Sequence, residues 1–267
     1  MSVGHALDVN SADSGVVHSV FVHAVNLIVC GKMWTLLAEH KGDLPFGIRL
    51  PLSNFGTLGL RSGEPVSVRS GFVGVSASLV VDCRMAPRWV PPRDKKLVPG
   101  LERRLTVVAA AACSRSWHAS AQMAHAVRSA VNDASGLDDA LSKVVGRGPG
   151  ATPSGDDVLV GVLAVLTSPH SGMAGAKAAE SIGRSILPLL PTTTDVSGHL
   201  LRQAAEGLFC RDVHELASAL IGALSRQEFS EKVRRVIETG ATSGADTCEG
   251  LLAFAPSFFT SQGRASE

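Results

Sequence analysis

One stretch limits the fold of this chain more than any other: the glycine-rich segment Gly146–Asp157 leads directly into the apolar run Val158–Leu166. Its three alternating glycines can adopt positive φ and expose their backbone N–H groups. Ser154, three residues before Asp157, has the S-x-x-D spacing of a capping box, although Thr152 followed by proline would serve as a cap one turn earlier. The pattern predicts a loop that turns straight into a buried helix.

This helix start carries more polar groups than capping requires. Backbone N–H groups at a helix start bind phosphate or carboxylate, and Arg147 adds a fork of donors, but Asp156 and Asp157 would repel an anion. A mixed ligand, such as an amide with a carboxylate or a metal-bridged phosphate, would suit both kinds of group. The simpler alternative is a helix N-terminus that carries many polar residues but binds no ligand. The segment has neither the lysine of a P-loop nor the G-x-G-x-x-G spacing after a strand, so no nucleotide-binding fingerprint applies.

The chain contains a second, similar start. Ser243–Ala253 aligns with Ser154–Ala164 at a constant offset, and the serine, the next glycine, the acid and a glycine one turn later recur in register. Two starts built alike suggest two N-termini aimed at one pocket, so we expect them to be neighbours in space. The alternative is that S-G-x-D is simply a common way to begin a buried helix. Because Ala245 replaces Asp156 in the second copy, we expect Asp156 to act on a ligand and Asp157 mainly to cap the helix.

These motifs resemble the AllH family, which includes a subunit of oxamate carbamoyltransferase. The resemblance extends from about Gly15 to Ala255, and Arg147 and Ala151 stand where the family pattern has apolar residues. Shorter matches add to it at Val17–Phe21, Asn26–Leu27, Thr193–Thr194 and Ala204–Phe209.

The resemblance implies a function. The chain would be a subunit of a multi-component carbamoyltransferase that acts on oxamate or oxalurate in the catabolism of purine-derived (allantoin) nitrogen. Other carbamoyltransferase subunits would be its partners. The alternative, from a different class, is a non-catalytic subunit that binds a small carboxylate or scaffolds a cytoplasmic enzyme complex.

The predicted site combines the glycine loop, the two helix starts and a few residues elsewhere. Asp156 and Asp157 are the catalytic candidates, one of them as the base for an amide nitrogen. The predicted ligand-binding residues are Arg147, Gly148, Gly150, Thr152, Ser154, Gly155, Ser243, Gly244, Asp246, His18, Asn26 and Thr194. Spacing alone favours a core histidine at His18 and a plain N-cap at Thr194, and a buried Asn26 could order a loop as easily as contact a ligand. The resemblance favours a functional role for His18. No metal ligand set and no cofactor is predicted.

Composition excludes several classes of protein. The net charge of +1 gives no attraction to nucleic acid or membranes. The five cysteines are scattered and odd in number, which fits a reducing compartment better than a disulfide framework. No apolar run reaches the roughly 18 residues of a membrane span, and Met1–Asn10 lacks the features of a signal peptide. We therefore expect a cytoplasmic protein whose ligand is a small molecule.

The order of patterns along the chain predicts an α+β fold. Short β-type runs between turn signals indicate a small barrel or sandwich over residues 15–85, with residues 1–14 disordered. A Pro-rich linker or strap follows at 86–100. Helical periodicity then dominates 101–257, beginning with one long helix over Leu101–Val131 that would place His118 and His125 on one face.

Overall fold

The computed structural model describes residues 1–92, 98–133 and 135–259. They divide into two compact units, Met1–Pro91 and Pro92–Glu267. The first unit is a curled sheet that forms a half-barrel, and the second is helical. The predicted α+β class, with a β-rich part followed by helices, is confirmed.

The sheet of the first unit has nine strands in the order β8-β7-β6-β2-β3-β4-β5-β1-β9. Most neighbours are antiparallel, but β5 lies parallel to β4 and β9 lies parallel to β1. The strands are β1 Ser2–Gly4, β2 Ala12–Val20, β3 Ala24–Val29, β4 Lys32–Leu37, β5 Gly47–Arg49, β6 Pro65–Arg69, β7 Phe72–Val75, β8 Leu79–Asp82 and β9 Arg88–Trp89.

Alternation and turn chemistry explain this sheet. Along β6 the residues alternate exposed and buried, as a half-buried strand requires. The β6–β7 hairpin turns at Ser70 and Gly71, with φ of 51° and 86°, and the β3–β4 hairpin turns at Cys30 and Gly31, with φ of 47° and 74°. Positive φ at both central residues is typical of the type I′ turn that matches strand twist.

The expectation that residues 1–14 are disordered is wrong. Strand β1 pairs with β5 and β9, and β2 already begins at Ala12. Val3, Leu7 and Val9 are all buried. These apolar side chains are too widely spaced to form a recognisable run, but their burial holds the segment on the sheet. At the other end of the unit, β9 occupies part of the predicted strap, whose residues 93–97 lie outside the described residues.

In the described residues the second unit forms nine α-helices. They are α1 Leu101–Ala112, α2 Ser120–Asn132, α3 Leu137–Ser142, α4 Ser154–Leu166, α5 Gly172–Ile186, α6 Asp195–Ala205, α7 Arg211–Ala219, α8 Arg226–Ile237 and α9 Ser243–Phe258. Helix α4 is the centre of the unit, with twelve of its thirteen residues buried. Across the ranges described here, no single helix could span a membrane; only α4 together with Pro169–Thr192, bent by 71°, has the length and composition.

The single long helix expected over Leu101–Val131 is wrong, because it is two helices. The chain leaves the helical path after α1, and Trp117 N and Ser120 Oγ both donate to the carboxylate of Asp246, each at 2.7 Å. These tertiary bonds fix the break and the start of α2. His118 therefore lies in the break rather than on a shared helix face with His125.

Candidate functional site

The site begins with the contact between α4 and α9, which is reciprocal. A Cβ built on Gly161 of α4 would lie 2.0 Å from the carbonyl oxygen of Thr247 of α9, and one built on Gly250 would lie 2.1 Å from the carbonyl oxygen of Val158. These residues are equivalent in the two sequence copies. Glycine therefore lets the two backbones touch at both places, and it brings the two helix starts together.

The glycine of each S-G-x-D motif also allows a close backbone contact. A Cβ on Gly155 would lie 2.0 Å from the carbonyl oxygen of Val144, and one on Gly244 would lie 1.7 Å from that of Val236. In each copy the glycine thus rests on the end of the preceding helical segment. Across the two copies, Thr152 Oγ1 and Ser243 Oγ are 2.8 Å apart. The prediction that the two starts are neighbours in space is confirmed.

The predicted capping boxes are wrong. Helix α4 begins at Ser154 itself, with Pro153 as N-cap, and α9 begins at Ser243 with Thr242 as N-cap; neither has a side-chain cap. The motif serines therefore lie within the first turn. Ser154 is completely buried and its hydroxyl oxygen has no hydrogen-bond partner in the described part of the chain.

The glycine loop adopts the backbone that the sequence predicts. Gly146, Gly148 and Gly150 have φ of 73°, 111° and 96°. A Cβ on Gly148 would lie between 2.7 and 2.9 Å from atoms of Ser154, so the loop folds back over the start of α4. The carbonyl oxygen of Arg147 accepts from Gly155 N at 2.7 Å. This bond occupies the N–H of Gly155, which is one of the helix N–H groups that the sequence predicted would bind an anion.

Asp156 holds several elements together. The side chain is 1% exposed. Its Oδ1 accepts from Gly146 N at 2.8 Å, and its Oδ2 accepts from Thr193 Oγ1 and, at 2.6 Å, from Ser197 Oγ. This carboxylate therefore ties the glycine loop and the start of α6 to α4, and both of its oxygen atoms are occupied.

Asp157 differs from its neighbour. It is 7% exposed, and its Oδ2 has no hydrogen-bond partner among the described residues. Burial raises the pKa of this carboxyl to about 8; hydrogen bonds from Ser243 and Thr152 lower it, and the charges of Asp246 and Asp156 raise it further. At neutral pH Asp157 is therefore mainly protonated and can donate a hydrogen bond.

Asp246, the equivalent of Asp157 in the second copy, is completely buried. Its Oδ1 is held by Trp117 and Ser120, as described above, but its Oδ2 has no partner within the residues described.

Thr194 is the N-cap of α6, which was the simpler of its two predicted roles: its Oγ1 accepts from Ser197 N at 3.1 Å. The same hydroxyl donates to the carbonyl oxygen of Ala151 at 2.6 Å, which fastens α6 to the loop.

His18 and Asn26 belong to the first unit, where they form a polar chain across three strands. Thr35 Oγ1 donates to Asn26 Oδ1, Asn26 Nδ2 donates to Ser19 Oγ, and Ser19 Oγ is 3.1 Å from His18 Nδ1. The register of β2 against β3 shifts between Val17 and Ser19, so His18 sits at a β-bulge. All of these hydrogen bonds lie within the first unit.

The remaining predicted residues fall into two groups. Thr152 and Ser243 are half-buried above Asp157, whereas Arg147 is exposed and its guanidinium makes no hydrogen bond or ion pair in the described ranges.

Four partners of the acids were missed by sequence reasoning: Trp117, Ser120, Thr193 and Ser197. Only Thr193 carried a signal, since it adjoins a predicted cap. In the described part of the chain, no three His, Cys, Asp or Glu side chains are placed to hold a metal ion.

Together, the half-barrel and the paired glycine-backed helix starts define a two-unit protein with a buried carboxyl cluster in its helical unit. Comparison with family models identifies the class. Residues 2–88 match the AllH family N-terminal domain, and residues 144–255 match the oxamate carbamoyltransferase subunit AllH. The chain belongs to the AllH family. No solved structure matches it.

Proposed function

We propose that this chain is a subunit of a multi-component carbamoyltransferase acting on oxamate or oxalurate, and that it binds the small substrate at the paired starts of α4 and α9. The family match supports the class of enzyme. The observation that supports the location is the set of buried, unpartnered oxygen atoms on Ser154, Asp157 and Asp246. Buried polar atoms are rarely left unpaired, so three of them in two adjoining helix turns favour a ligand that completes them.

The chemistry of carbamoyl transfer favours Asp157 over Asp156 as the acid–base group. When the amide nitrogen of oxamate attacks the carbamoyl carbon of carbamoyl phosphate, a C–N bond forms, the C–O bond to phosphate breaks, and the nitrogen loses a proton. Such a step needs a group that exchanges protons near neutral pH. Asp157, with a pKa of about 8 and an unpartnered oxygen, suits it. Asp156 already accepts three hydrogen bonds and is better suited to holding the loop.

The glycine loop supplies the anion-binding side of the proposal. Within the described residues, the N–H groups of Gly148 and Gly150 take part in no hydrogen bond, and the guanidinium of Arg147 is exposed beside them. Backbone N–H groups and a guanidinium together suit carboxylate or phosphate oxygens. A protonated Asp157 also removes the repulsion that two ionised acids would exert on an anion.

Calorimetric titration tests the proposal. The full chain, alone and mixed with its partner subunits, is titrated with oxamate, oxalurate, carbamoyl phosphate and phosphate. We expect oxamate or oxalurate to bind and Asp157→Asn to reduce turnover of the assembled enzyme. Tight phosphate binding without binding of oxamate or oxalurate would overturn the substrate assignment. Full turnover by Asp157→Asn would instead favour a non-catalytic binding subunit.

A further inference from the structure

We propose that Asp157 and Asp246 act as one recognition pair for a carboxamide group: Asp157 donates a hydrogen bond to the amide carbonyl oxygen, and Asp246 accepts one from the amide NH2. The inference rests on the proposed function for the identity of the substrate. It assigns the amide end of that substrate to this pair and leaves the carboxylate end to the glycine loop.

The geometry of the pair is the first support. The two acids occupy equivalent positions in α4 and α9, whose backbones touch at Gly161 and Gly250. Each acid is at least nine-tenths buried and each has one carboxyl oxygen without a partner in the described residues. The two groups also lie close enough for the charge of Asp246 to act on Asp157. Two such oxygen atoms, at equivalent positions of two touching helices, are suited to one small group.

The surroundings give the two acids different roles. Two donors hold Oδ1 of Asp246, which fixes the orientation of its carboxylate and leaves Oδ2 as an acceptor. Asp157 is protonated at neutral pH because burial raises its pKa to about 8. Among the described residues the charges that act on it are both carboxyl groups, Asp156 on its own helix and Asp246 on α9. The pair therefore offers one donor and one acceptor at two adjoining helix starts.

One donor beside one acceptor matches a carboxamide and not a carboxylate. A carboxamide has a carbonyl acceptor and N–H donors, whereas a carboxylate has acceptors only and would place its charge against Asp246. The arrangement also serves the transfer step. The hydrogen bond from Asp157 stabilises the negative charge that develops on the carbonyl oxygen of the amide when its nitrogen attacks.

Oxamate and oxalate test the pair, because they differ by an amide in place of a carboxylate. We expect the wild-type chain to bind oxamate at least about tenfold more tightly than oxalate at pH 6.5, since an unmatched buried polar group is strongly rejected. Asp246→Asn keeps an oxygen for Trp117 and Ser120 but turns an NH2 group toward the ligand. It should therefore reverse the preference. Asp139→Asn, an exposed change of the same type on α3, should leave the preference unchanged.

A second variant guards against misfolding of Asp246→Asn. Asp157→Asn retains a donor that does not titrate, so its oxamate affinity should stay constant from pH 6 to 9.5, whereas wild-type affinity should fall as the pH passes about 8. An unchanged oxamate preference in a folded Asp246→Asn chain, or a flat wild-type pH profile, would overturn the pair.

The failure of the proposed function has a different signature. If the wild-type chain, alone and with partner subunits, binds neither oxamate nor oxalurate, the substrate assignment falls. NMR titration with millimolar acetamide and acetate then tests the pair alone. A preference for acetamide that is lost in Asp157→Leu supports the pair, and equal or absent shifts with both probes overturn it.

Discussion

The starts of α4 and α9 share a motif but use it differently. In both, the glycine after the serine packs on a preceding backbone carbonyl, and a later glycine touches the other helix. The acids then diverge. Asp246 is held by two donors from the α2 region, whereas Asp157 lies beneath two half-buried hydroxyls and has a raised pKa. The shared residues therefore encode how the helices pack, and the environment of each acid gives it a separate chemical character.

The position immediately before the shared acid also differs between the two helices according to its surroundings. Asp156 in α4 ties three elements together, and its counterpart in α9 is the buried Ala245. Helix α4 has a loop and the start of α6 to hold, and a carboxylate can accept from both. Helix α9 has no such bonds at this position in the described residues, and an alanine fills the space. The residue at this position, Asp156 or Ala245, thus follows from the elements that pack around it.

The largest expected effect is on the contact that both starts share. Gly161→Ala and Gly250→Ala would each place a Cβ about 2 Å from a backbone carbonyl oxygen. Because backbone cannot move aside as a side chain can, we expect each change to cost more than about 3 kcal/mol of the free energy of unfolding. Urea denaturation followed by circular dichroism measures this loss.

A buried helical glycine elsewhere is the control for this prediction. Gly198 in α6 has its nearest atom 3.4 Å from a built Cβ, so Gly198→Ala should be neutral or should stabilise by up to about 1 kcal/mol. If Gly161→Ala were equally harmless, the helices would not be in backbone contact, and the reciprocal packing of the two starts would be refuted.

The next effect concerns the acid that only α4 has. Asp156→Ala would leave Gly146 N–H and the hydroxyls of Thr193 and Ser197 without their acceptor. We expect a loss of about 3 kcal/mol, because buried donors would lose hydrogen bonds to a charged group. Asp156→Asn keeps one acceptor and should lose less. A melting temperature unchanged in Asp156→Ala would support the sequence-based expectation that this residue acts on the ligand rather than on stability.

The third prediction separates Asp157 from Asp246 by pH. The Asp157 carboxyl ionises near pH 4 in the unfolded chain and near pH 8 in the folded one. Between these values only the folded state holds the proton, so stability falls with rising pH, by up to about 1.4 kcal/mol per unit for this group. Asp157→Asn removes this slope. It should therefore be more stable than the wild type at pH 9, with the gap shrinking toward pH 4.

Urea denaturation of both proteins at several pH values from 4 to 9 isolates this group, because all other titrations cancel in the difference. Asp246→Asn is measured beside it as the equivalent position in the second copy. Parallel stability curves for wild type and Asp157→Asn would mean that the carboxyl titrates normally, and the protonated donor would have to be abandoned.

Much of the fold could be predicted from local sequence patterns. Strands β2 to β8 and helix α4 lie where alternation, turn residues and apolar runs place them, because their burial repeats at a regular period. The two strands that were missed, β1 and β9, have three and two residues and are too short to show any period. The break between α1 and α2 was also missed, since distant Asp246 supplies the bonds that fix it.

The sequence predicted which two helix starts come together at the candidate site, but not which residues hydrogen-bond to its acids. The repeated motif correctly indicated that Thr152 and Ser243 would be neighbours. The prediction that Asp157 caps the helix was wrong, because the hydrogen-bond partners of a side chain depend on tertiary contacts. The donors to Asp156 and Asp246 lie between 10 and 129 residues away in the chain, a separation over which spacing carries no information.

The smallest stability effect is expected at Arg147, and it sharpens the contrast between loop and acid pair. The side chain is exposed and makes no hydrogen bond or ion pair in the described residues, so Arg147→Gln should change stability by less than about 0.5 kcal/mol. If the guanidinium meets the carboxylate of a ligand, affinity for oxamate and oxalate should fall together, by about three- to tenfold, and less at high salt. The preference for oxamate over oxalate should remain if, as we propose, the acid pair and not the loop distinguishes the amide. Calorimetry at two salt concentrations measures both quantities. A changed preference without a loss of affinity would place the selective contact on the loop instead.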